Sequence, residues 1–523
     1  MSTWRPPAGI AGRVTAIAVS AAAPRAQKYK CPMAEALKAR PSLRLRSGPR
    51  RYEKLEHFAL GPFMTALDQV ERGFRSVEGA LDAVERNARV HDGLKTWTAH
   101  AVRDYLRAFP AYPTSGSPLR LVPQRWTYER DIGRTQYRIG AWGRCYQSAD
   151  GRTREIRMIN MRSRSATRSD AEVAVAAFVV AHADQETGSV PVERVRVVNY
   201  SAEDGEVRTW FDGTPDDATS MYEKHGRAAL TAVAGGQEYR PGGACVKCDF
   251  AANCPALSRA PGLLGVDGGG RPRRQWSVTS GRAYRECPAR AHLRALRLPT
   301  DAQVEHSGPA QRGRAVHALF ADHHRTGQRC SPAMGDDWTG DGFGLSADDV
   351  DLGKRLVRHH AEVCPFQHAH LNRDVRVEPQ LTWDDQNANV LVVVEPDLLY
   401  RDHASWVWRE VKTSGSDRHR ANDLLAEYPQ LALAVLVLAR GELGGSRTRS
   451  RVELELLGPS GVDLHVIDPY TPSVRRNAET VVRDLVLRWR ADDEFLPRPG
   501  SRCTRCEVAS WCRANPKTEL TTS

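Results

Sequence analysis

Residues 395–412 read EPDLLYRDHASWVWREVK. One apolar run leads into and out of Asp397, and the next carries Glu410 and Lys412. Side chains two apart on a strand share a face, so Glu410 and Lys412 are expected side by side, with Trp408 and Trp406 upstream on that face. Two carboxylates and a lysine suit metal-assisted phosphodiester hydrolysis. The carboxylates would hold one or two Mg²⁺ or Mn²⁺ ions, and the ammonium would stabilise charge on the attacked phosphate. As a bare pattern D-x12-E-x-K is weak, because a solvated strand end produces it just as easily. One detail favours chemistry. Only ten of the 75 basic residues are lysines, so Lys412 stands where arginine is the default. The two side chains differ in hydration, reach and readiness to shift pKa.

Around this stretch the patterning predicts an α/β plan. Helices are expected near Cys287 and His317, and a long amphipathic segment over about 346–371. Strands follow in VRVEPQLTW, NVLVVVEPDLLY and SWVWREVKTS, then a helix in LLAEYPQLALAVLVLAR. RVELELLG and VDLHVID read as two more strands before a last helix at about 472–491.

The chain also repeats itself. PGGACVKCDFAANC (241–254) matches PGSRCTRCEVASWC (499–512), an offset of 503 − 245 = 258. At nearly the same offset, the Cys31-Pro32 region matches Cys287-Pro288. S-G-P-x7-H recurs ending in His57 and His317, and DGTP at Asp212 matches DPYTP at Asp468. The expected organisation is therefore two tandem domains, residues 1–258 and 276–523. They are joined by 259–275, whose Gly, Pro and Arg content reads as a flexible linker.

Each repeat has one early cysteine and three late ones: Cys31 with Cys245, Cys248 and Cys254, and Cys287 with Cys503, Cys506 and Cys512. Four thiolates satisfy either a zinc ion or an iron–sulfur cluster, and spacing alone leaves both open. Either would tie the two ends of a domain together. Cys145, Cys330 and Cys364 fall outside the pattern and read as buried or incidental thiols.

Taken together, Asp397 and Glu410-x-Lys412, RGRAVH (312–317), EYPQL (427–431) and the C-x2-C-x5-C ending resemble the RecB-like branch of the PD-(D/E)XK nucleases. The similarity is closest to its iron–sulfur members, the AddB-type nuclease domains and the CRISPR-associated iron–sulfur exonucleases. The resemblance implies two restriction-endonuclease-like domains, each a mixed sheet flanked by helices and closed by a four-cysteine cluster. It implies a [4Fe–4S] cluster in each repeat, with zinc as the alternative. Asp397, Glu410, the Val411 carbonyl and His317 would hold Mg²⁺ or Mn²⁺, Lys412 would be the catalytic lysine, and Gln430 would match the Gln of a Q-x3-Y motif. The Tyr of that motif is absent, since position 434 is Ala434.

The first repeat reads as a worn copy. Asn160-Met161-Arg162 stand where E-x-K is expected, Tyr146 or Gln147 where the first acid is expected, and a reading through Glu155 and Arg157 still lacks the partner Asp. Without carboxylates it would not bind Mg²⁺ tightly.

The formal charge of +12 favours a polyanionic partner, most often nucleic acid. The Arg-dense stretches RPSLRLRSGPRRYEK and MRSRSATRSD suit phosphate contacts. The expected function is a metal-dependent DNA nuclease in repair, recombination or defence against foreign DNA. A non-catalytic DNA-binding scaffold and an RNA nuclease are the alternatives. No G-x4-G-K-[ST] motif is present, so unwinding would come from a separate helicase or defence-complex subunit. No apolar run reaches the roughly 18–20 residues of a membrane span, and RVTAIAVSAAAP is too short and alanine-rich for a convincing signal peptide, so a cytoplasmic location is expected.

Overall fold

The structure is a computed structural model and describes residues 4–43, 51–110, 118–162, 168–183, 190–367, 371–417 and 423–515. The middles of both Arg-dense stretches lie outside these residues. Among the described residues, eight strands occupy the N-terminal half: β1 (Ala16–Ser20), β2 (Leu119–Val122), β3 (Thr127–Ile132), β4 (Thr135–Gly140), β5 (Arg144–Ser148), β6 (Thr153–Asn160), β7 (Arg194–Ser201) and β8 (Val207–Gly213). Nine follow: β9 (Ser258–Arg259), β10 (Arg274–Trp276), β11 (Leu371–Val377), β12 (Leu381–Asp385), β13 (Val390–Val394), β14 (Leu398–Asp402), β15 (Ser405–Thr413), β16 (Arg451–Leu457) and β17 (Val462–Ile467).

The principal sheet of the C-terminal half runs β11-β14-β15-β16-β17, and that of the N-terminal half runs β2-β5-β6-β7-β8. In both, the third and fourth strands are parallel and the other neighbours antiparallel. A parallel pair needs a crossover. The helix Pro429–Arg440 supplies it between β15 and β16, and the helix Asp170–His182 between β6 and β7. Each half also has a smaller sheet, β1-β4-β3 and β10-β13-β12-β9. The whole is a mixed α/β fold.

β15 is buried from Ser405 to Val411 because helices cover both faces. Trp406 and Trp408 pack with Leu431–Leu438 of the helix Pro429–Arg440. Val411 packs on the other face against Ala315, Val316 and Phe320 of the helix Gly308–Arg325 and Leu356 and Val357 of the helix Ala347–Val363.

NVLVVVEPDLLY, expected as one strand, is two strands in two different sheets. The break falls at Glu395-Pro396-Asp397. Proline lacks the N–H a ladder needs and fixes its own φ, so the chain leaves one sheet there and enters the other. VRVEPQLTW breaks the same way at Glu378-Pro379, where Glu378 takes a left-handed φ of 46°. Asp397 therefore sits on a seam between sheets.

The 259–275 segment, read as a flexible linker, is packed. Ala260, Leu263 and Leu264 are buried in the C-terminal core, the Gly262 and Leu264 amides donate to Asp385, and β9 pairs with β12.

Each cysteine loop docks on the opposite half. Cys245, Ala251 and Leu257 pack on Leu391 and Val393 of β13. Leu293, Leu296, Leu298 and Val508 complete a core made by N-terminal helices through Leu94, Trp97 and Tyr105. Buried Arg274 bridges the halves, with Glu53 and Asp493 at 2.7–2.9 Å.

Candidate active site

The site lies at the C-terminal end of β15. Burial of Glu410 on this strand is offset by the Trp408 indole, which donates to Oε1 at 3.0 Å. Two residues on, the Lys412 ammonium donates to Glu410 Oε2 at 3.1 Å, to Asp397 Oδ2 at 3.4 Å and to the Val411 carbonyl at 2.9 Å. From the seam, Asp397 Oδ2 also accepts the Val411 amide at 2.7 Å. His317 Nδ1 stands 3.4 Å from Asp397 Oδ1.

His317 reaches Asp397 because its helix comes close to the strand. A Cβ on Gly313, one turn earlier, would lie 3.2 Å from Thr413 Oγ1, tighter than ordinary packing. The glycine of RGRAVH thus sets the approach that aims the histidine.

Electrostatics split the two acids. Burial first, and then the charge of Asp397, push Glu410 up to about 7, although Lys412 and Trp408 oppose the shift. Burial also works to raise Asp397, but His317, Lys412 and the Val411 amide outweigh it and hold Asp397 at about 2. Two carboxylates and a carbonyl are hard oxygen donors of the kind Mg²⁺ and Mn²⁺ take. An ammonium already bridges all three, so the donor set fits a cation. With His317 beside Asp397, these residues could hold one.

Gln430 is half-buried in the first turn of the helix Pro429–Arg440. Ala434, one turn on, is fully buried in the core, where a phenol would overfill the space. Tyr428, just before this helix, feels the charge of Lys412.

The N-terminal half differs at the matching positions. Arg409 lies over the Tyr400 ring, and Arg157 lies over Tyr146. Matching those pairs puts Gly143, Met158 and Asn160 in the places of Asp397, Glu410 and Lys412, in agreement with the β5–β6 and β14–β15 registers. Sequence alignment alone points instead to Tyr146 or Gln147 and to Asn160-Met161-Arg162. The turn between β5 and β6 is two residues longer than that between β14 and β15, which shifts the match. Asn160 bonds to Asn199 and Arg168, and Met158 is buried. No carboxylate stands at these three positions. His57, aligned to His317 by spacing, precedes the helix Leu60–Glu71 and packs against His292 and Glu53.

Cys31, Cys245, Cys248 and Cys254 line one pocket. The Arg240 amide donates to Cys31 Sγ at 3.4 Å and the Gly242 amide to Cys245 Sγ at 3.4 Å. Burial pushes the Cys248 thiol up to about 11, with Cys245 and Cys31 adding to it. In the other half the Arg498 amide donates to Cys287 Sγ at 3.4 Å, and Cys506 and Cys512 both lie within the field of Cys287. Amide donors to converging thiolates fit a metal centre better than isolated thiols.

Sequence reading passes over a further group. Cys330 and Cys364 meet His324 and His360 in the interior. The signals are His-x5-Cys at the end of the helix Gly308–Arg325 and His-x3-Cys at the end of the helix Ala347–Val363.

Among known families, the profile described as the PD-(D/E)XK nuclease superfamily matches residues 275–513. A search of curated proteins finds no match. Among solved proteins, the crystal structure of SSO0001 is 14% identical with a TM-score of 0.24, over 46% of this chain and 86% of that one. Residues 275–513, which hold Asp397, Glu410 and Lys412, are a PD-(D/E)XK nuclease superfamily domain.

Proposed function

We propose that residues 276–523 are a Mg²⁺- or Mn²⁺-dependent deoxyribonuclease of the iron–sulfur RecB-like type. The observation that carries this reading is the convergence of Asp397, Glu410 and the Val411 carbonyl on one ammonium, with His317 on the flank. When bound by Asp397, Glu410, Val411 and His317, a divalent ion supplies phosphate polarisation and an acidified water. The chain's own residues do the rest. Trp408 fixes the rotamer of Glu410. His317 and the Val411 amide fix Asp397. Lys412 would supply the positive charge that stabilises charge developing on a phosphate oxygen. Gln430 stands at the N-terminus of the adjacent helix as a substrate contact.

Residues 1–258 are a duplicate without catalytic acids. The matching strand order and pairing senses of the two principal sheets support the duplication. A [4Fe–4S] cluster in each half, held by Cys31, Cys245, Cys248 and Cys254 and by Cys287, Cys503, Cys506 and Cys512, is supported by the amide-to-sulfur contacts. The charge of +12 supports DNA as partner. The working setting is cytoplasmic DNA repair or antiviral defence alongside a separate helicase or defence-complex subunit. Among the described residues no helix is long and apolar enough to cross a membrane.

The test is cleavage of end-labelled single- and double-stranded DNA, and of RNA, by anaerobically purified full chain with Mn²⁺ or Mg²⁺. Wild type should cut DNA, while Asp397→Asn and Lys412→Ala should not. Equal activity in the variants would sink the site, and cleavage of RNA alone would move the substrate. Iron at about eight per chain is expected from two four-iron clusters.

A further inference from the structure

His324, Cys330, His360 and Cys364 are all buried, with 5%, 1%, 0% and 1% exposure. Their ligand atoms lie within 4.8 Å of one another. His324 Nε2 is 3.2 Å from His360 Nε2, 3.5 Å from Cys330 Sγ and 3.8 Å from Cys364 Sγ. One ring nitrogen has a single lone pair or a single proton, so it satisfies one of three such neighbours. A cation at the centre satisfies them all.

The spacing identifies the cation. Zinc bonds of about 2.0–2.1 Å to nitrogen and about 2.3 Å to sulfur, at tetrahedral angles, separate ligand atoms by about 3.3 Å (N to N) and about 3.6 Å (N to S). The three edges that meet at His324 Nε2 follow that figure. Two thiolates and two imidazoles in a tetrahedron are a zinc set.

The surroundings are built for it. His360 Nδ1 faces Glu455 Oε1 at 2.6 Å, which fixes the tautomer that turns the Nε2 lone pair inward. Glu455 is fully buried and accepts from Arg409 at 3.2 Å. Two thiolates balance the zinc charge, and Arg409 balances Glu455. Phe320 stacks on His360 and Phe366 on His324, which keeps water out. Gly327, at a left-handed φ of 71°, turns the chain after the helix Gly308–Arg325 so that Cys330 folds back beside His324.

We propose that His324, Cys330, His360 and Cys364 form a structural zinc site, separate from both four-cysteine sets and from the Asp397–Glu410 site. Its role is to position. His324 lies two turns from His317 on one helix, and Glu455 is paired in register with Val411. The zinc pins that helix and the helix Ala347–Val363 to β16, and so holds His317 toward Asp397.

The test uses full chain from zinc-replete cells, purified without chelator. Zinc and iron are counted by mass spectrometry, and the zinc environment is read by X-ray absorption at the zinc edge. Wild type should carry one zinc bound by two sulfurs and two nitrogens. Cys330→Ser and Cys364→Ser should lose that zinc and keep their iron, while Cys287→Ser should keep the zinc. Wild type without zinc, zinc bound by four sulfurs, or zinc content unchanged in Cys364→Ser would each overturn the site. If the serine variants fail to fold, the wild-type absorption spectrum alone decides. None of these readouts depends on nuclease activity.

Discussion

Glu410 must lose a proton before it can hold a cation, so divalent-metal affinity should rise with pH. Glu410 is 4% exposed, and its carboxyl sits at about 7, raised by burial and then by Asp397. Asp397 stays ionised through the working range because it sits at about 2. Lys412 stays charged, because Glu410 and Asp397 outweigh the burial that would lower it. Raising the pH therefore converts Glu410 from a neutral acid to a ligand. About one molecule in eleven is ionised at pH 6 and about ten in eleven at pH 8. If only the ionised form binds, the apparent Kd for Mn²⁺ falls about tenfold across that range, or about 1.4 kcal/mol. The assay is Mn²⁺ titration of the full chain, with free Mn²⁺ read by electron paramagnetic resonance. Calorimetry in two buffers should show release of about half a proton at pH 7. The slope should persist in His317→Asn and vanish in Glu410→Gln. A wild-type Kd that is flat from pH 6 to 8, or the same slope in Glu410→Gln, would refute the reasoning.

Three further outcomes are expected. Trp408→Phe removes the indole bond that holds Glu410 down, so the Mn²⁺ profile should move to higher pH with little change at its plateau. Arg409→Met leaves Glu453 and Glu455 buried without their shared cation, and should cost about 3–5 kcal/mol, read as a fall in thermal midpoint. A methyl on Gly353 would collide with the Trp338 ring, so Gly353→Ala should cost about 1–3 kcal/mol by the same measurement, whereas Gly342→Ala, where nothing lies near, should cost mainly its backbone strain.

The site was legible because period-two geometry needs no tertiary information. Glu410 and Lys412 share a face in any strand, and Trp408 follows on the same face. Asp397 was found by position, but its place on a seam was not, since an apolar run does not reveal which sheet each half joins. RVELELLG reads as a strand, but its pattern does not reveal where its acids go. In fact Glu453 and Glu455 are buried, because Arg409, Tyr400 and His360 wait for them on neighbouring elements. His57 was aligned to His317 by spacing alone, and spacing does not record that one precedes a helix while the other lies within one. Cys330 and Cys364 are buried, as one of the two readings had it, but their grouping is hidden in the sequence because their partners are histidines on two different helices.

The reciprocal docking of the cysteine loops has a mechanical consequence. Each loop is fastened to the half it does not belong to, through Leu391 and Val393 in one direction and Leu94 and Trp97 in the other. The chain is latched like two clasped hands. A nick in 259–275 should leave the fragments together under native conditions, and either fragment expressed alone would bare an apolar face to water. The N-terminal half is then a fixed part of the folded unit that carries Asp397, Glu410 and Lys412.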